Sequence, residues 1–155
     1  MNISNYLDAI AKPFQGLAPW ILRLVLGTSF ILHGLGKFPL PPEGMVTGFE
    51  SMGIIAPEII ASLVAIGEVG AGAAIILGGA LGSRGHLITR LAGGAVLVIM
   101  IGALYLAHSS WFTDFLTPFA ENGKDKIQPG YKHFIYSEQM YLLFLGLYFA
   151  IKGNN

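Results

Sequence analysis

One carboxylate stands in the middle of an otherwise apolar stretch, and it is the side chain of this sequence best placed to do chemistry. Glu68 is the single charged residue between Ile59 and Leu81. A charge at the centre of a membrane-spanning helix costs about 3 kcal/mol on the mildest insertion scale, so it must face the protein interior, find a partner or be protonated. The candidate partners are Arg23, His33 and Lys37. A buried ion pair between two helices and a proton-exchanging site both remain open.

Other titratable side chains interrupt the apolar stretches near one end of the predicted helices. His33 and Lys37 are four residues apart and share a helix face. Each residue also has a structural interpretation: a lysine or arginine that extends to the lipid headgroups, or a histidine or carboxylate placed at a helix end by the dipole. We assign Glu68 and His33 as candidate catalytic residues. The candidate cofactor-binding residues are Lys37, His108, Glu138 and Arg23.

Four apolar runs position these residues. Each contains about 18 to 23 residues, the length of helix that crosses a hydrocarbon core of about 30 Å. An open chain has no alternative to helix there, because lipid cannot satisfy free backbone groups. The sequence therefore predicts an all-α integral membrane protein, a single domain over residues 1–155 that forms an antiparallel four-helix transmembrane bundle. The predicted spans are 17–36, 59–81, 87–107 and 134–151.

Two long connections flank the predicted helices on the side that holds His33 and Lys37. The connection 37–58 contains prolines that favour an extended start, and it predicts a short interfacial helix over 48–55. The connection 108–133 begins with aromatic residues, and we expect Trp111 to Phe119 to cover the opening of the bundle. A repeat of small residues every four positions predicts close packing against another helix. Its members are Gly70, Ala74 and Gly78.

The composition excludes several classes of protein. Hydrophobic residues make up 54% of the chain and charged residues 12%, about half the charge of a soluble domain. The net charge is zero, which argues against a nucleic-acid footprint, since that needs a basic excess. The chain has no cysteine, so thiol chemistry, Fe–S clusters and covalent haem attachment are excluded. No metal site is predicted. A haem held by His33 and His108 is supported only by the presence of two histidine ligands, so a haem is not expected.

The sequence resembles the DoxX family of small four-helix membrane proteins over residues 20–151. The residues that carry the resemblance are Arg23-x-x-x-Gly27-x-x-Phe30-x-x-His33-Gly34-x-x-Lys37, Glu68-x-x-x-Gly72, Leu77-Gly78 and Gly82-x-Arg84. The family takes its name from a subunit associated with thiosulfate:quinone oxidoreductase, which feeds electrons to respiratory quinone. The resemblance therefore implies a redox-linked subunit in a bacterial or archaeal cytoplasmic membrane. A slight basic excess on the side of the termini places both termini in the cytoplasm.

Three functions compete, and the sequence does not decide whether the protein is an enzyme. The first is a redox-linked subunit that handles a quinone or another small molecule in the outer half of the bundle, with electrons supplied by a partner subunit. The second is a non-catalytic subunit of a larger membrane complex. The third is a small transporter, for which four helices leave little room unless the chain forms a homo-oligomer. The lipid bilayer is the one partner common to all three.

Overall fold

Eight helices and a short antiparallel hairpin make up the parts of the chain that the structure describes. A computed structural model of the chain describes residues 2–120 and 127–154. The helices are α1 (Ile3–Ala11), α2 (Ala18–Leu35), α3 (Glu43–Ser51), α4 (Pro57–Ala80), α5 (His86–Ala107), α6 (Ser110–Thr113), α7 (Gly130–Ile135) and α8 (Glu138–Lys152). The strands β1 (Pro118–Ala120) and β2 (Ile127–Pro129) pair in the register Pro118 to Pro129.

Within the described residues, three helical segments are long and apolar enough to cross a membrane. They are Ala18–Leu35, Pro57–Ala80 and Gly82–Ala107, the last of which joins a 3-10 turn to α5. Proline in the first turn suits the starts of α2 and α4, because the amide that proline lacks has no partner there. These segments confirm the all-α membrane class. The α2, α4 and α5 boundaries lie within two residues of the predicted ones.

The fourth predicted span, 134–151, is not one continuous helix. The backbone of Ser137 is extended, and its side chain accepts a hydrogen bond from the amide of Met140 at 3.2 Å, so α8 begins at Glu138. α8 has 15 residues, about 22 Å at 1.5 Å per residue. It is therefore shorter than the ~20 residues of an ordinary span, and a fourth membrane crossing stays a prediction.

Glycine lets neighbouring helices pack backbone against backbone. A Cβ on Gly72 would lie 2.5 Å from the carbonyl oxygen of Gly27, so α2 and α4 touch directly. α5 and α8 meet in the same way, since a Cβ on Gly93 would lie 2.7 Å from the oxygen of Gly146. The prediction that Gly70 packs closely against another helix is wrong. That residue is exposed and a Cβ there would meet no atom within 4 Å, because it faces away from both neighbouring helices.

The packed helices bury a small apolar core and expose apolar side chains outward. α2 packs on α4, α4 on α5, and α5 on α8. The core residues are Leu26, Phe30, Ala71, Ile75, Ala92, Val96, Met100, Leu142 and Phe149. Many large apolar side chains on the outer faces are exposed, Leu63, Leu91 and Val98 among them. An apolar exterior of this extent fits lipid as its surroundings.

Candidate ligand cavity beside Lys37 and Glu68

A cavity of about 530 Å³ opens between the end of α2, the first half of α4, the second half of α5 and the start of α8. This volume lies within the usual range of small-molecule sites. Its wall is largely apolar, and a few polar side chains converge on it. The polar ones are His33, Lys37, Glu68 and Gln139. The apolar ones include Met45, Phe49, Met52, Ile60, Val64, Val98, Met100, Leu106 and Leu142.

Glu68 and Lys37 form an ion pair on the cavity wall. The ammonium group of Lys37 donates a hydrogen bond to Oε2 of Glu68 and another, at 3.2 Å, to the backbone oxygen of His33. The Glu68 side chain is 5% exposed and that of Lys37 is 22% exposed. Lys37 lies just beyond the end of α2, where its cation satisfies one of the final helix carbonyls. Of the three candidate partners of Glu68, the one that contacts its carboxylate is Lys37.

Glu68 points inward because of its position on α4. The buried residues of this helix recur at Ala61, Ala65, Glu68, Ala71, Gly72 and Ile75, the three-and-four spacing of a single helix face. That face lies against α2, whose end carries Lys37. The carboxylate is therefore directed into the protein by the same periodicity that builds the core.

His33 and Glu138 form a second, more exposed polar pair beside the cavity. Nε2 of His33 lies 3.4 Å from Oε1 of Glu138, and the two side chains are 35% and 59% exposed. Glu138 is the first residue of α8, where a carboxylate is favoured by the helix dipole. Gln139, the next residue, lines the cavity. The pair thus ties the end of α2 to the start of α8 and connects the cavity with the solvated surface.

Arg23 belongs to a different cluster, at the other end of α2. It lies 14 residues before Lys37, about 21 Å along a helix. Its guanidinium donates to the oxygen of Ile75 at 3.1 Å, to Thr89 Oγ1 at 3.1 Å, and to the oxygen of Gly153 at 3.0 Å. Its central carbon also sits 4.7 Å above the ring of Phe149. Arg23 is buried, so the interpretation that it extends to the headgroups is wrong, and it lies away from the cavity as well.

His108 lies in an aromatic cluster formed by the chain after α5. Its ring stacks on Trp111 at a centroid distance of 4.1 Å. His133 stacks on the same indole at 6.3 Å, and its Nε2 lies 3.3 Å from the oxygen of Phe119. The structure therefore places His108 with Trp111 and outside the cavity wall, whereas His33 contacts Glu138. Among the described residues, no group of three or more His, Asp or Glu side chains could hold a metal ion.

The cover of the cavity is α3, a part of the site that the sequence reasoning missed. Met45, Phe49 and Met52 line the cavity, and their spacing of four and three residues places them on one helix face. That spacing was the signal that could have identified them. The expected cover, Trp111 to Phe119, does not line the cavity. The expected interfacial helix over 48–55 is instead α3, which starts at Glu43 and ends at Ser51.

Comparisons with known proteins found a family model and a relative that match part of the chain. The family model of DoxX matches residues 18–109, which is 92 of the 155 residues and ends before α8. An uncharacterized membrane protein of Mycobacterium tuberculosis is 33% identical over 85 residues, which is 55% of this chain and 47% of that protein. The chain thus spans about half the length of this relative. No solved structure matches the chain significantly.

Proposed function

The chain belongs to the DoxX family of membrane proteins, and on that premise we propose that it is a membrane subunit that binds a quinone in the cavity beside Lys37 and Glu68. The observation that carries the proposal is an apolar cavity of about 530 Å³ whose wall holds one buried ion pair. A ring compound with a polar edge suits such a wall, because apolar side chains take the ring and a few fixed polar groups orient it.

The polar residues of the cavity fit a quinone in their chemistry. The ammonium group of Lys37 is a donor suited to a carbonyl oxygen, and the Gln139 amide offers both a donor and an acceptor. Glu68 is the group able to accept or release a proton at the buried end of the cavity. A bound quinone would supply the electron chemistry, while the protein binds it, orients it and handles protons. Since the chain has no cysteine, the electrons come from a partner subunit.

The His33–Glu138 pair supports a route for protons between the cavity and water. His33 lines the cavity and Glu138 is more than half exposed. Imidazole is suited to relaying protons near neutral pH. Lys37 contacts both the backbone of His33 and the carboxylate of Glu68. In the proposal His33 is the relay, because its ring contacts the exposed Glu138 and lines the cavity that also holds Glu68.

The proposal includes a topology in which α8 is a fourth crossing helix. α8 packs along α5, and its buried residues Leu142, Gly146 and Phe149 face the other helices. With four antiparallel crossings, both termini lie on the cytoplasmic side of a bacterial or archaeal membrane. The cavity then opens in the outer half of the bundle.

Equilibrium binding tests the proposal directly. The protein, reconstituted in nanodiscs, is titrated with a short-chain benzoquinone and a short-chain naphthoquinone in a calorimeter. Gly48 lines the cavity and a Cβ there would meet no atom within 4 Å, so the side chain of Gly48→Leu starts in open space at the cavity wall. We expect at least tenfold weaker binding. Gly70→Leu is the matched control, because Gly70 also has open space around it but faces outward.

The alternatives predict different results. Equal binding by Gly48→Leu and the wild-type protein would show that the quinone binds elsewhere. No binding by the wild-type protein, together with stoichiometric co-purification of other subunits, would favour the non-catalytic accessory subunit. Solute flux through proteoliposomes without quinone binding would favour the transporter.

A further inference from the structure

The wall of the cavity extends from the buried interior to the outer surface of the helices. At one end are Glu68, Met100 and Leu142, all of which are buried. Val98 also lines the cavity, although this residue is 69% exposed. A closed internal cavity would be lined by buried residues throughout. This cavity therefore has a lateral opening on the outer face of α5.

The lateral opening lies at the depth of the hydrocarbon core. Val98 is nine residues before Ala107, the last residue of α5, or about 14 Å along the helix. Glu68 is eleven residues after Pro57, the first residue of α4, or about 17 Å. Since these two helix ends lie on the same side of the protein, Val98 and Glu68 lie at similar depths. The opening thus faces lipid chains rather than water.

The separation of α4 from α5 creates the lateral opening. Near the turn that joins them, a Cβ on Gly78 would lie 3.0 Å from the amide nitrogen of Thr89. Further outward, a Cβ on Gly67 would lie 3.5 Å from the Ile99 side chain, and a Cβ on Gly102 would meet nothing within 4 Å. The two helices are therefore in close backbone contact near the turn, whereas Gly102 borders open space.

We propose that the cavity takes an amphiphile from the bilayer, with its polar ring at Lys37 and Glu68 and its hydrocarbon tail in the lateral opening past Val98 and Gly102. The identity of the ring as a quinone rests on the proposed function. The tail follows from the opening itself, because a chain that leaves the cavity at this depth enters hydrocarbon and never has to be transferred to water. The ligand thus moves between membrane and site without crossing the aqueous phase.

Substitutions at the opening test the tail separately from the ring. Val98→Trp narrows the opening, and Val25→Trp is the matched control, since Val25 is an exposed valine of α2 outside the cavity wall. In nanodiscs, we expect Val98→Trp to weaken binding of a long-tailed quinone at least tenfold and to leave a tailless quinone unchanged. Val25→Trp should change neither affinity. A diazirine placed on the tail should label residues 98–102.

Each result decides one part of the proposal. If Val98→Trp and Val25→Trp bind the long-tailed quinone as the wild-type protein does, the opening does not hold the tail. If a saturated amphiphile without a ring competes as well as the long-tailed quinone, the opening holds an ordinary acyl chain only. If no quinone binds, the proposed function fails. Diazirine labelling with a tailed aromatic amine then decides the opening alone, and absence of label at 98–102 would overturn it.

Discussion

We expect that replacing Lys37 destabilises the protein more than replacing Glu68, its partner in the ion pair. Breaking a buried ion pair costs about 3–5 kcal/mol because one charge is left unpaired. Lys37→Met leaves the Glu68 carboxylate, which is 5% exposed, without its cation, so we expect a loss near that range. Glu68→Gln keeps the shape and an acceptor oxygen, and Lys37, 22% exposed, can extend toward the interface. The expected loss is therefore smaller, about 1–2 kcal/mol, the difference between a charged and a neutral hydrogen bond.

A double-mutant cycle measures the pair itself. The free energy of unfolding is measured in mixed micelles by circular dichroism for each single variant and for the double variant. We expect the double variant to lose less stability than the sum of the singles, with a coupling of about 1–3 kcal/mol. Arg23→Gln combined with Glu68→Gln is the control, because Arg23 binds Ile75, Thr89 and Gly153 instead. Additive losses for Lys37 and Glu68, or coupling of Glu68 with Arg23, would refute the assignment of the pair.

Three further predictions test the framework that holds the cavity. Gly72→Leu should disrupt the contact of α2 with α4 and lower the melting temperature, since its Cβ would lie 2.5 Å from a backbone oxygen. The control variant Gly70→Leu should unfold at the wild-type temperature, and equal melting temperatures of the two variants would contradict the proposed α2–α4 contact. Arg23→Lys should lower the free energy of unfolding by about 2–4 kcal/mol, because lysine cannot reproduce the forked donors of arginine. An unchanged free energy of unfolding in chemical denaturation would mean that the hydrogen bonds of Arg23 do not stabilise the protein. Cysteines introduced at Ser83 and Leu116 should react with a membrane-impermeant maleimide from opposite sides, and labelling from one side would refute the antiparallel arrangement.

The sequence predicted the helices whose length and composition are dictated by lipid. The ends of α2, α4 and α5 follow from apolar runs, prolines and glycines, which are local signals. The division of the fourth run at Ser137 was missed, because Tyr136 and Ser137 do not interrupt its hydropathy enough. Ser137 has an extended backbone and caps the start of α8. The hydropathy of an apolar run does not show where a helix within that run begins.

The cavity was predicted only in part, for a physical reason. Glu68 stood out because a lone carboxylate in an apolar run needs compensation, and Lys37 was among its candidate partners. Which basic residue pairs with it depends on how far α2 slides along α4, and the contact of Gly27 with Gly72 sets that register. Arg23 looked similar in sequence, yet the same register places it beside Ile75, further along α4. The spacing of Met45, Phe49 and Met52 marks an apolar face on α3, but what that face covers depends on the long-range packing of α3 against α4.

Photolabelling with an azidoquinone tests the central claim most directly. The azide is placed on the ring, the reconstituted protein is irradiated, and the labelled peptides are identified by mass spectrometry. We predict labels on α3 at Met45 or Phe49 and on α8 near Gln139, all of which line the cavity, and we predict that an excess of unmodified quinone removes them. Labels confined to the exposed residues of α1 or α2, or labels that unmodified quinone does not remove, would contradict a quinone site beside Lys37 and Glu68.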